Sequence, residues 1–90
     1  MANKRLTSEE ITGLLKQTLD RRSPDWDKEI NVEPSDGYFP GVTITPKGDD
    51  TYIRNSTYLA QFAIGNGFHI SVGSYSGGPL KGKPYFDIFD

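Results

Sequence analysis

Three kinds of side chain in this chain could together cleave a phosphodiester without a metal: His69, Arg54, and one of Glu29 or Glu33. A carboxylate would draw the proton from an attacking hydroxyl, and an imidazolium would protonate the leaving oxygen. A guanidinium would hold the negative charge that builds on the phosphoryl oxygens. His69 is the one histidine of the chain, and its side chain is the type that changes charge around neutrality. A lone histidine is more often a plain surface residue, so this chemistry ranks as the alternative.

A second cluster lies at Gly77-Gly78-Pro79-Leu80-Lys81-Gly82-Lys83-Pro84. Glycines there expose backbone amides, and Lys81 and Lys83 could hold a phosphate or a carboxylate. The spacing is not that of a P-loop, and no helix pattern follows. The letters Gly73-Ser74-Tyr75-Ser76-Gly77 match a nucleophile elbow, but Gly78-Pro79 follows where that motif needs a helix. With one His, no Cys and an Asp49-Asp50 pair that lacks the alternating oxygens of a calcium loop, neither a metal nor a cofactor is expected.

Composition narrows the classes further. Ninety residues make one domain, 1–90, small enough that core packing has little margin. No cysteine staples it, which fits a reducing, cytoplasmic setting. Ten basic residues stand against twelve acidic ones, for a net charge of -2. That balance makes nucleic-acid binding unlikely, because such binding needs a concentrated basic footprint. Met1 to Arg5 is charged but no apolar core follows, so neither a secretory leader nor a membrane association is expected.

The elements that must position these residues divide at Ser23-Pro24. Before it, Thr7 and Glu10 form a capping box, and Leu6 with Ile11 forms a hydrophobic staple. Ile11, Leu14, Leu15 and Leu19 recur at helical spacing, which predicts a helix over about 7–22 with one apolar stripe. Gly13 inside it is explained if a backbone passes close by. From about 28 to 90 the period becomes two. Ile30 and Val32 predict a strand ended by Pro34-Ser35-Asp36-Gly37, and Val42 and Ile44 predict another. A loop at Lys47-Gly48-Asp49-Asp50 would pair Ile44 with Ile53 and Thr43 with Arg54. A Gly65-Asn66-Gly67 loop would pair Ile64 with Phe68, Phe62 with Ile70 and Ala60 with Val72, placing the large apolar residues on one side. The rival for 57–64 is a short helix begun by Ser56 and stopped by Gly65. Gly73 to Pro84 reads as a mobile connection, and Tyr85 to Phe89 as a last strand.

The fold class expected is α+β: an N-terminal helix on one face of a mostly antiparallel sheet of about 4–6 strands. Its core would comprise Leu14, Leu15, Leu19, Ile30, Val32, Ile44, Ile53, Phe62, Ile64, Phe68, Ile70 and Val72. Trp26 would close the core edge. The opposite face would then display Glu29, Asn31, Glu33, Thr43, Thr45, Tyr52, Arg54, Gln61, Ala63, His69 and Ser71, with Leu59, Tyr75 and Tyr85 at its margins.

Between Asn55 and Leu80 there is no Lys, Arg, Asp or Glu, whereas an ordinary solvated face carries charges. The leading expectation is therefore a small, non-catalytic protein-interaction module, an inhibitor or adaptor of a larger protein. Its contact residues would be Tyr52, Arg54, Gln61, His69, Ser71, Tyr75, Lys81, Lys83 and Tyr85. A homodimer through an edge strand, with the last strand offering Tyr85 and Phe89, is a variant of this reading. Besides the hydrolase, a third option is single-stranded nucleic acid stacked on Tyr52, Tyr75 and Tyr85.

Overall fold

The computed structural model describes residues 6–37, 39–48, 53 and 56–90. Helix α1 (Ser8–Arg22) begins as its capping box dictates: the Thr7 side chain accepts from the Glu10 amide at 3.1 Å, and the Thr7 amide donates to Glu10 Oε1 at 3.0 Å. Ile11, Leu15 and Leu19 are fully buried. Leu14 was expected in the same stripe but is 38% exposed; it stands one residue, about 100° of rotation, away from Leu15. A single 3-10 turn (Trp26–Lys28) follows. There the Trp26 indole packs against the core and donates to Asp20 at 2.7 Å.

Strands β1 (Ile30–Asp36) and β2 (Pro40–Pro46) form a hairpin that pairs Val32 with Ile44 and Pro34 with Val42. The first strand thus runs on through Pro34 instead of ending there. The Lys47 amide donates to the Glu29 carbonyl at 3.0 Å, so odd-numbered β1 residues bond to β2 and even-numbered ones face outward. Pro34 has no N–H to offer on that outer side, which is where an edge strand tolerates proline.

Residues 56–65 overturn the hairpin expected through Gly65-Asn66-Gly67. They form α2 (Ser56–Gly65), which buries Leu59, Phe62 and Ala63, a helical i, i+3, i+4 pattern. Leu59 and Ala63 were expected to face outward, and Ile64, expected inside, is 77% exposed. The helix ends in a Schellman motif. The Phe68 amide donates to the Ala63 carbonyl at 2.9 Å, the Gly67 amide to the Ile64 carbonyl at 3.2 Å, and Gly67 has φ 72°. Phe68 then packs on Phe62, ring centroids 5.7 Å apart. The glycine that was read as a hairpin loop is a helix stop.

Strands β3 (His69–Ser74) and β4 (Pro84–Phe89) complete a four-stranded antiparallel sheet of order β1-β2-β4-β3. The element order is therefore α-β-β-α-β-β. The last strand, which the dimer variant needs at an edge, lies inside between β2 and β3. Ile44 pairs with Val32 and Phe86 rather than with Ile53, which is buried outside any strand. The segment read as a mobile connection is a hydrogen-bonded hairpin loop. In it the Tyr75 amide donates to the Lys83 carbonyl at 3.0 Å and the Gly82 amide to the Tyr75 carbonyl at 2.8 Å.

Helix α1 packs on β1 and β2, and α2 packs on α1 and β3. Ile30, Val32, Val42, Ile44 and Ile88 form the floor of the core. Ile70 and Val72 share that face by register with Ile88 and Phe86 but were wrongly expected to be buried; they are 36% and 64% exposed. The start of α1 is tied to the sheet by the buried Ser8 hydroxyl. It donates to the Ser35 carbonyl at 2.8 Å and accepts from the Gly41 amide at 3.1 Å, and Ser35 and Gly41 are a cross-strand pair.

Two outcomes follow for stability. Ser8→Ala leaves the buried Gly41 amide without this acceptor and should cost about 1–3 kcal/mol in denaturant unfolding. At Gly13 no backbone passes close by: a Cβ there would meet nothing within 4 Å. Gly13→Ala should accordingly stabilise the domain by roughly 1 kcal/mol, read as a higher thermal midpoint.

Candidate functional site on the open face of the sheet

Neither helix packs on the second face of the sheet, and cross-strand pairing arranges its side chains in rows. One row runs Ser35, Gly41, Phe89, His69; the next runs Glu33, Thr43, Asp87, Ser71. Beyond them Asn31 pairs with Thr45, and Tyr85 with Gly73.

The first row is aromatic. His69 stacks on Phe89 at 5.4 Å between ring centroids, and Phe39, from the β1–β2 turn, stacks on the same ring at 5.7 Å. Phe39 is nevertheless 49% exposed. Beside it opens a cleft of about 190 Å³ lined by Ser35, Phe39, Gly41, Asp87 and Phe89 among others. At about 30 Å³ per water, that volume would hold roughly six waters or one large side chain. In the second row Thr43 Oγ1 donates to Asp87 Oδ1 at 2.6 Å, which fixes one carboxylate oxygen and turns the group toward the middle of the face. At the far end the Tyr85 ring lies where a Gly73 side chain would be and tilts against Tyr75, centroids 5.1 Å apart. An aromatic ring covering an edge-strand glycine is a known way to shield the backbone there.

Of the residues expected to do chemistry, Glu33 and His69 are not brought together. Glu33 and His69 share the open face but stand on the two outer strands, β1 and β3. Three strand spacings of about 4.8 Å separate them, too far for both to reach one phosphodiester directly. Glu29 lies just before β1. Tyr52 and Arg54, and with them Asp49 and Asp50, lie outside the described residues. Among the described residues no group of three His, Asp or Glu side chains could hold a metal ion.

Of the expected contact residues, His69, Ser71 and Tyr85 lie on the open face and Tyr75 borders it. Gln61 does not: it lines a groove between α1 and α2 with Thr18, Arg22 and Tyr58. Lys81 and Lys83 sit in the β3–β4 loop, where the Lys83 ammonium donates to the Gly48 carbonyl. Sequence reasoning missed Phe39 and Asp87, and named Phe89 only for an edge-strand dimer. Asp87 and Phe89 alternate with the buried Ile88, a period-two signal that places them on the face opposite the core.

Two glycines should respond differently to an added methyl. At Gly41 the new Cβ would meet the Ile88 carbonyl oxygen at 2.4 Å and Phe89 Cβ at 2.9 Å, so backbone must move. Gly41→Ala should destabilise by about 1–3 kcal/mol in chemical unfolding. At Gly73 the obstacle is the outer end of the Tyr85 ring, at 2.6 Å, which can swing away. Gly73→Ala should leave stability within about 1 kcal/mol while shifting the ring resonances of Tyr75 and Tyr85.

Comparison of the chain with protein-family models, with curated proteins and with solved structures finds no match.

Proposed function

We propose that this chain is a protein-interaction module that binds a larger protein through the open face of its sheet, as an inhibitor or adaptor does. One observation carries the reading: the Phe39–Phe89–His69 stack stands beside an apolar cleft, with Phe39 half exposed. Stacked rings lose little conformational freedom on binding, and a cleft sized for one side chain is the kind of pocket that anchors a protein interface. An apolar anchor residue of the partner would enter between Phe39 and Gly41.

The rim sets the chemistry of that partner. Glu33, Thr43, Asp87 and Ser71 form the row beside the rings, so the face offers acceptors and negative charge. Basic or donor-rich side chains around the apolar anchor would complement it. Phosphate backbones would be repelled, which weighs against nucleic acid as the ligand. Tyr75 and Tyr85 weigh the same way, since each uses its ring against the other rather than offering both free for bases.

The test compares binding, not folding. Wild-type chain and Phe39→Ala, immobilised in parallel, should capture the same partner with affinities that differ by about 2 kcal/mol, roughly thirtyfold in Kd. Far-UV dichroism should be unchanged, because the Phe39 ring lies on the surface. A partner retained equally by both forms, or released by Lys81→Glu/Lys83→Glu but not by Phe39→Ala, would move the contact away from this face.

A further inference from the structure

The outer edge of β3 is unpaired among the described residues, and its chemistry is self-complementary. Bonding of Tyr75 to Lys83 at the head of the β3–β4 hairpin fixes the pattern along the strand. His69, Ser71 and Gly73 turn their backbone groups toward β4. Ile70, Val72 and Ser74 turn theirs outward. The same residues, Ile70 and Val72, carry exposed β-branched side chains on the helix side, near the end of α2 that leaves Ile64 uncovered. An outer strand normally avoids self-pairing with a lysine, a proline or an inward charge; His69–Ser74 has none of them.

We propose that β3 pairs antiparallel with β3 of a second copy, about a two-fold axis at Ser71, to give one continuous eight-stranded sheet. In that register Ile70 faces Val72 of the second copy and Val72 faces its Ile70, two apolar pairs on the helix side. Both are hydrogen-bonded pairs, using the outward-facing amides and carbonyls. Ser71 meets its own equivalent in the closer, non-bonded type of pair, where small hydroxyl side chains fit. His69 falls opposite Gly73, large against small.

Charge favours a second copy over a foreign strand. A two-fold axis repeats every charge of the edge near itself, and this edge has no Asp, Glu, Lys or Arg to repeat. The net charge of -2 adds little repulsion between copies. The closed two-fold contact uses one patch on both partners and leaves no second edge for growth through β3. This pairing does not rest on the open-face reading, since its hydrogen bonds come from the backbone and its apolar pairs from the helix side.

Two measurements on the full chain test it. Sedimentation or light scattering should give a concentration-dependent mass approaching twice the 10.0 kDa of the chain. Val72→Lys should return it to a monomer with unchanged dichroism, because each apolar pair would become a lysine set against Ile70 and the two ammonium groups would lie on the diagonal across the axis. Independently, Ser71→Cys should oxidise to a disulfide-linked dimer, since Cα atoms of a non-bonded antiparallel pair lie within disulfide reach at about 4.5 Å. Ser76→Cys, beyond the strand, should cross-link at least tenfold more slowly. A chain that stays monomeric at millimolar concentration overturns the proposal. So does a dimer indifferent to Val72→Lys, or one in which Ser76→Cys links as fast as Ser71→Cys. A dimer lost in Val72→Lys and linked through Ser71→Cys establishes it.

Discussion

A four-stranded sheet spans about 14 Å between its outer strands, while a helix with its side chains is about 10–12 Å across. One helix therefore covers part of one face, and much of this structure answers that shortfall. Helix α1 lies over β1 and β2, where Ile11, Leu15 and Leu19 meet Ile30, Val32, Val42 and Ile44. The β4–β3 half needs a second cover, and residues 56–65 supply it by turning helical. Being only ten residues long, α2 falls short at the rim: Leu59, Phe62 and Ala63 are buried while Val72 remains in water. Among the described residues no helix is left over for the other face, and aromatic rings cover its outer rows.

The position of α1 is set by more than apolar contact. Burial of a stripe permits sliding along the sheet, whereas the Ser8 hydroxyl must reach both the Ser35 carbonyl and the Gly41 amide. Those groups belong to one cross-strand pair beside the β1–β2 turn, so the helix start is fixed to the turn end of the hairpin. Gly41 serves this junction from both sides. Its amide meets Ser8, and its missing side chain lets Phe89 and the Ile88 carbonyl come close. The row that ends in His69 thus begins at a helix anchor.

Much of the fold was legible in the residues. The Thr7–Glu10 box placed the first helix, and alternation around Ile30, Val32, Val42, Ile44, Ile70, Val72 and Ile88 marked all four strands. What failed was local ambiguity at 57–64. Ala60, Phe62 and Ile64 alternate as a strand would, while Leu59, Phe62 and Ala63 space as a helix would, and Phe62 belongs to both patterns. Gly67 with positive φ serves a hairpin loop and a Schellman stop equally well, so the choice fell to tertiary burial. The candidate site was half legible. His69, Ser71 and Tyr85 follow from period two, but the neighbours of a row depend on strand order, and no pattern in Tyr85 to Phe89 announces that this strand lies inside. For that reason Phe89 is expected only at a dimerising edge, not at the centre of a stack.

The insertion of β4 between β2 and β3 has a consequence for the order of events during synthesis. When residue 80 leaves the ribosome, the β1–β2 hairpin can already be sheltered by α1. The strand ending at Ser74, however, has no neighbour to bond with until Pro84 to Phe89 emerge and slot between two waiting edges. The half-made molecule therefore presents two open ladders at once, a state prone to mispairing with other nascent chains. The β3–β4 loop limits that interval, because it delivers the last strand to its first neighbour after nine residues of chain.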